Sequence, residues 1–156
     1  MKRILIDCDP GHDDMMAIML ACSSPELELL GITTVAGNQT GEKTYQNALK
    51  TLTLIGRTDV PVARGADKPL FRQLTVTPEI HGVSGLDGAD LPEPGVQGVE
   101  QHAVDFLIQT IMESGTSLTL APTTPTSTSL SITLLIMPLV SPTMRLTCMP
   151  GYLSLN

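Results

Sequence analysis

Short apolar runs alternate with stretches of helical period along most of this chain, and that alternation fixes the fold class before any single residue is considered. Ile4-Leu5-Ile6-Asp7 reads as a buried strand. Residues 13–22 change to helical spacing, with Met15, Ile18, Met19 and Cys22 at i, i+3, i+4 and i+7, until Pro25 ends the helix. Residues 29–35 form a second β-rich run. A second amphipathic helix over 41–56 carries Tyr45, Ala48, Leu49, Leu52 and Ile55 on one face, and Val60-Pro61-Val62-Ala63 is a short third strand. Strands joined through single helices by short connections pair in parallel through right-handed crossovers. The expected architecture is α/β, an open doubly wound and mainly parallel sheet. Ligands of such sheets bind beyond the carboxyl ends of the strands, so residues 7–14 and Gly37-Asn38 are expected along one edge.

Residues 64–98 are rich in Gly and Pro, with His81-Gly82-Val83-Ser84-Gly85 in the middle, and read as a long irregular excursion of the kind that serves as a lid or binding loop. Val104, Leu107, Ile108 and Ile111 mark a third amphipathic helix, and residues 117–121 a fourth strand. After Gly115 the composition changes: Arg145 is the one charged residue from there to Asn156, whereas a globular domain carries about a quarter charged residues. The chain thus divides into 1–123, part of one α/β domain, and 124–156, an aberrant tail rich in Ser, Thr, Pro and Leu. A shifted reading frame near Thr124 or a truncation accounts for such a tail, and the sheet is then incomplete.

Asp7-Cys8-Asp9-Pro10-Gly11-His12-Asp13-Asp14 places four carboxylates in eight residues at the end of the first strand. Negative charge packed into a desolvated strand end requires neutralisation, and a hard divalent cation with oxygen ligands supplies it. The Pro-Gly turn lets Asp9 and Asp14 both point back at the strand end, an oxygen cage for Ca²⁺ or Mg²⁺ once backbone carbonyls and waters are added. Water on such an ion has a lowered pKa and a neighbouring carboxylate can take its proton, which is the chemistry of hydrolysis. Two other readings compete. The aspartates can simply cap turns and favour a helix N-terminus. Alternatively Asp7-Cys8-Asp9 matches the D-x-D spacing of aspartyl-nucleophile phosphatases, which leaves Asp13, Asp14 and Asn38 without roles.

A formal net charge of -7, with no clustered Lys or Arg, argues against a nucleic-acid or membrane surface and for a small-molecule partner. Cys8, Cys22 and Cys148 have neither disulfide nor zinc spacing and read as reduced thiols of a cytoplasmic protein. The N-terminus lacks the features of a signal peptide. Residues 130–140 are apolar, but Pro138 interrupts them and they fall short of the ~20 residues that span a bilayer.

Three segments carry a specific resemblance: residues 6–14, then Ile32-Thr33-Thr34-Val35-Ala36-Gly37-Asn38-Gln39-Thr40, then His81-Gly82-Val83-Ser84-Gly85-Leu86-Asp87-Gly88. In order and spacing they resemble the inosine-uridine preferring nucleoside hydrolase family, and within it the bacterial pyrimidine-preferring ribonucleoside hydrolases, over residues 1–123. The resemblance implies a doubly wound α/β sheet, a Ca²⁺ cofactor, and cleavage of a ribonucleoside (uridine, cytidine or inosine) by water to ribose and free base, in cytoplasmic nucleoside salvage. It implies that Asp9 is both calcium ligand and general base, and that Asp14 is a bidentate calcium ligand. Thr123 adds a calcium-binding carbonyl, Asp13 and Asn38 bind the ribose, and His81 stands near the nucleobase. Asp7 is left to support the loop, and His12 and His102 receive no catalytic role. Relatives of this family are commonly homo-oligomers. The alternative to an active hydrolase is a non-catalytic fragment that keeps partial Ca²⁺ binding or pairs with another chain.

Overall fold

The structure is a computed structural model that describes residues 1–114 and 118–123. Strand β1 (Lys2–Cys8) is buried from Ile4 onward, as a strand covered on both faces must be. Its side chains alternate between two helix layers. Ile4, Ile6 and Cys8 enter one core with Ile18, Ala21, Ala48, Leu49 and Leu52, while Leu5 enters a second core with Leu107, Ile111, Leu118 and Leu120.

The order along the chain is β1, α1 (His12–Ser23), β2 (Leu27–Thr34), α2 (Gly41–Leu54), β3 (Val62–Arg64), α3 (Pro78–His81), α4 (Ala103–Ser114) and β4 (Leu118–Pro122). The sheet order is β3-β2-β1-β4 and each of its pairs is parallel. Helices α1 and α2 cover one face and α4 the other, so the sheet is doubly wound as its sequence pattern requires. The crossovers reverse between β1 and β4. That reversal is a topological switch point, where open α/β sheets hold ligands beyond the strand ends.

The β1–β2 ladder slips between Ile4 and Leu5, whose partners are Leu29 and Gly31, leaving Leu30 as the extra residue. Gly31 makes room for α4: a Cβ there would lie 2.6 Å from the Phe106 ring.

Helix α1 differs from its periodicity in one instructive respect. Its buried positions are Asp14, Ile18 and Ala21, while Met15, Met19 and Cys22 are only half-buried and Met16 and Leu20 face outward. A carboxylate occupies the first inward position of the helix, and an apolar count cannot register it. Within the excursion after β3, α3 follows Thr77, and Gly82, Gly85 and Gly88 all have positive φ, the left-handed region that suits glycine. The expected tail, 124–156, lies outside the described residues.

Candidate active site

Asp7 lies one residue before the end of β1 with its carboxylate buried, 1% exposed, where the Thr33 hydroxyl donates to Oδ1 at 2.7 Å. Its backbone carbonyl accepts the Thr123 N–H at 3.0 Å, tying the end of β4 to the end of β1. Asp7 thus joins the ends of β1, β2 and β4.

Two residues on, Asp9 is buried and its Oδ2 accepts the Asn38 backbone N–H at 2.6 Å, while the Asn38 side-chain amide donates to the Asp9 carbonyl at 3.0 Å. The loops after β1 and β2 are thereby locked together. Gly37 is required for this approach: a Cβ there would sit 2.0 Å from Asp9 Oδ2.

Asp14 is buried at the start of α1, and the nearby Thr123 hydroxyl, which lies 3.4 Å from the Asp7 carbonyl, favours its anion. Burial, and next the negative charge of Asp14, push the Asp9 carboxyl up from 3.8 to about 7, against the Asn38 N–H that favours its anion. Burial likewise raises Asp14, with the Thr123 hydroxyl opposing and Asp13 adding to the rise. The Cys8 thiol is pushed far up by burial and by the three aspartates, which makes it an inert core residue.

Asp13 faces solvent on the same turn. His81 reaches the site from α3. The place a Gly11 Cβ would occupy is 2.7 Å from His81 Nδ1 and 2.9 Å from the Asn38 amide nitrogen, so loop, histidine and asparagine meet there. His12, given no part from sequence, points its Nδ1 at His81 Nδ1 across 3.3 Å, the two rings edge to edge with planes 23° from parallel. His102 is exposed at the start of α4 and remote from this chemistry in role, its Nδ1 accepting the Val104 N–H.

Helix α2 supplies two residues that spacing alone did not single out, Asn47 and Thr44, and the turn before it a third, Gln39. Asn47 donates to the carbonyls of Pro10 and Ser84, both at 3.0 Å, joining the carboxylate loop to the excursion. Gln39, just before α2, donates to the Gly82 carbonyl, and Thr44 holds the Val35 carbonyl. Three buried polar side chains in a row before and inside an otherwise amphipathic helix are the signal that would have revealed them.

Among the described residues no group of three or more His, Cys, Asp or Glu side chains converges on one point. The metal-directed donors are two carboxylates, Asp9 and Asp14, with Thr123 beside them. Burial raises both carboxyls, the charge of Asp14 raises Asp9 further and that of Asp13 raises Asp14, and no cationic side chain is among the causes of either shift. Carboxylate and hydroxyl oxygens of this kind are the donors that hard cations take.

Together the doubly wound parallel sheet and the aspartates at its switch point define an α/β protein with a carboxylate ligand site. The family model for inosine-uridine preferring nucleoside hydrolase matches residues 4–156, and the chain belongs to that family. It is 53% identical over 124 residues to a pyrimidine-specific ribonucleoside hydrolase RihA of Photobacterium profundum, covering 80% of this chain and 40% of that protein. A RihA of Escherichia coli is 53% identical over 122 residues, 78% of this chain and 39% of its own length. Among solved structures, a purine-preferring ribonucleoside hydrolase from Gardnerella vaginalis superposes with a TM-score of 0.80 at 34% identity, over 88% of this chain and 44% of that one. A plant nucleoside hydrolase gives 0.75 at 32%, over 86% and 43%. The chain therefore spans about two-fifths of the length of the curated relatives it matches.

Proposed function

We propose that residues 1–123 carry one half of a ribonucleoside N-glycosyl hydrolase site, with Asp9 as general base. The observation that supports it most directly is the buried Asp9–Asp14 pair at a sheet switch point, both carboxyls raised by burial and each raised further by a neighbouring aspartate, Asp14 for Asp9 and Asp13 for Asp14. Asp9, Asp14 and Thr123 are the residues that would hold Ca²⁺. When bound, the ion supplies a Lewis acid that lowers the pKa of water and neutralises the paired carboxylates. Asp9 takes the proton of the attacking water, whose hydroxyl oxygen bonds to C1′ of the ribose as the N-glycosidic bond breaks. Asp13 and Asn38 orient the ribose hydroxyls, and the aspartates stabilise the positive charge that develops on the sugar. His81 lies at the nucleobase side; the departing base takes a proton from solvent water and Asp9 returns its proton to solvent, so that the sum is the addition of one water across the N-glycosidic bond. The substrate class is a ribonucleoside, with uridine, cytidine and inosine as the candidates, in cytoplasmic salvage.

Release of ribose from these nucleosides in the presence of Ca²⁺ tests the reading. Asp9→Ala is expected to lower the rate by about 10²–10⁴-fold, the usual contribution of a positioned general base. Hydrolysis that survives Asp9→Ala unchanged removes Asp9 from the mechanism.

A second reading is favoured by the two-carboxylate donor set among the described residues. In it the chain is a non-catalytic half-site that binds Ca²⁺ or completes itself by pairing with another chain. Calorimetric Ca²⁺ binding without ribose release marks that outcome. We assign residues 124–156 to a frame-shifted continuation on composition, and translation of the coding DNA in all three frames tests this: absence of a family-like continuation in any other frame excludes it.

A further inference from the structure

The two histidines at the mouth of the site have a hydrogen-bond order that their partners dictate. Nε2 of His12 lies 2.9 Å from the backbone carbonyl oxygen of Asp87. A carbonyl only accepts, so this nitrogen carries the hydrogen, and the neutral ring has a bare Nδ1. That Nδ1 lies 3.3 Å from Nδ1 of His81. One of the two must donate, and only His81 can, so its hydrogen sits on Nδ1 and its Nε2 keeps a lone pair.

The arrangement is held from both ends. The Asp87 N–H donates to the His81 carbonyl at 3.2 Å, and the Asp87 carboxylate accepts the N–H groups of Val83 and Ser84 at 2.7 and 2.9 Å. The acceptor carbonyl is thus part of the same turn that carries His81. The rings meet edge to edge, with centroids 5.5 Å apart and planes 23° from parallel, as an in-plane N–H···N bond requires. Gly11 leaves no space for a side chain between the Nδ1 edge of His81 and the loop. Among the described residues Nε2 of His81 has no hydrogen-bond partner.

We propose that His12 is a positioning residue that fixes the tautomer of His81, so that His81 offers Nε2 as a hydrogen-bond acceptor to an N–H or O–H group of the ligand. The tautomer follows from the chain Asp87 carbonyl, His12, His81 alone; the consequence for a nucleoside ligand rests on the hydrolase reading above.

Long-range ¹H–¹⁵N spectra of the ¹⁵N-histidine-labelled full chain at about pH 8, where an ordinary imidazole is neutral, read the tautomer directly. His102→Gln removes the third histidine and secures assignment. In the unsubstituted chain Nδ1 of His81 is expected at a pyrrole-type shift and Nε2 at a pyridine-type shift. His12→Asn, whose carboxamide oxygen replaces the Nδ1 acceptor, retains that pattern, whereas His12→Phe moves the hydrogen toward Nε2. A pyrrole-type Nε2 in the unsubstituted chain overturns the proposal even where a variant does not fold, and so does a pattern unaltered by His12→Phe. Because the spectra need no turnover, a failed tautomer assignment and a failed hydrolase assignment are separate results.

Discussion

At the residue scale the carboxylate motif divides by direction. Asp7, Asp9 and Asp14 are buried, whereas Asp13 faces solvent. The motif made all four legible as a group and made Asp9 and Asp14 legible as a pair, since a Pro-Gly turn before a helix brings both to the strand end. It did not reveal that Asp7 is committed to β2. That commitment rests on Thr33, a residue whose neighbours in sequence say only that it lies in a strand. Thr33→Val keeps the shape and removes the donor. With a buried carboxylate deprived of one partner, the expected loss is about 1–3 kcal/mol of folding stability, read from denaturant midpoints. A midpoint within error of the parent denies Asp7 its anchoring role. His12 was not legible at all as a site residue, because its partner lies 69 positions away and no local pattern encodes that encounter.

At the element scale, strands and helices were legible to within a few residues because apolar spacing reports which face is inside. Helix α2 marks the limit of that signal. Its inward face includes Thr44, Asn47 and Thr51 beside Ala48, Leu49 and Leu52, and each of the three polar side chains is satisfied by a backbone carbonyl. Hydrophobic periodicity sees half of this face. The polar half is what carries the helix's functional duty, since Asn47 joins Pro10 to Ser84 and so clamps the excursion onto the carboxylate loop. Asn47→Ala leaves two carbonyls without that amide. The expected result is faster hydrogen exchange and earlier proteolytic cleavage across residues 77–88, with β1 and β2 amides little altered. Uniform loss of protection throughout the sheet would instead place Asn47 in the general core.

At the scale of the whole molecule, the fold brings paired acids to one sheet edge, and the consequence is a pH dependence opposite to that of ordinary surface carboxylates. The folded-state pKa of Asp9 is about 7 against 3.8 for the free group, and Asp14 is displaced the same way. Between those two values the metal-free folded chain retains a proton that the unfolded chain releases, so stability falls as pH rises. The contribution is fully present below about 3.8 and is lost as pH passes about 7; for Asp9 the displacement corresponds to about 4 kcal/mol. Asp59 and Asp87 are lowered by hydrogen bonds from Arg57 and from Ser84 and act in the other sense, but both are solvent-exposed and screened. Thermal unfolding of the chelator-treated chain should therefore occur at a lower temperature at about pH 8 than at about pH 5. A cation held by Asp9 and Asp14 binds their ionised forms, so added Ca²⁺ should raise the unfolding temperature more at the higher pH, by mass action on the folded state. Asp14→Asn removes one charge of the pair and is expected to reduce the pH slope, leaving the part that burial imposes on Asp9, and to remove most of the calcium response. A calcium shift equal at the two pH values, or one that persists in Asp14→Asn, would locate the ion elsewhere and leave the buried pair without its counter-charge.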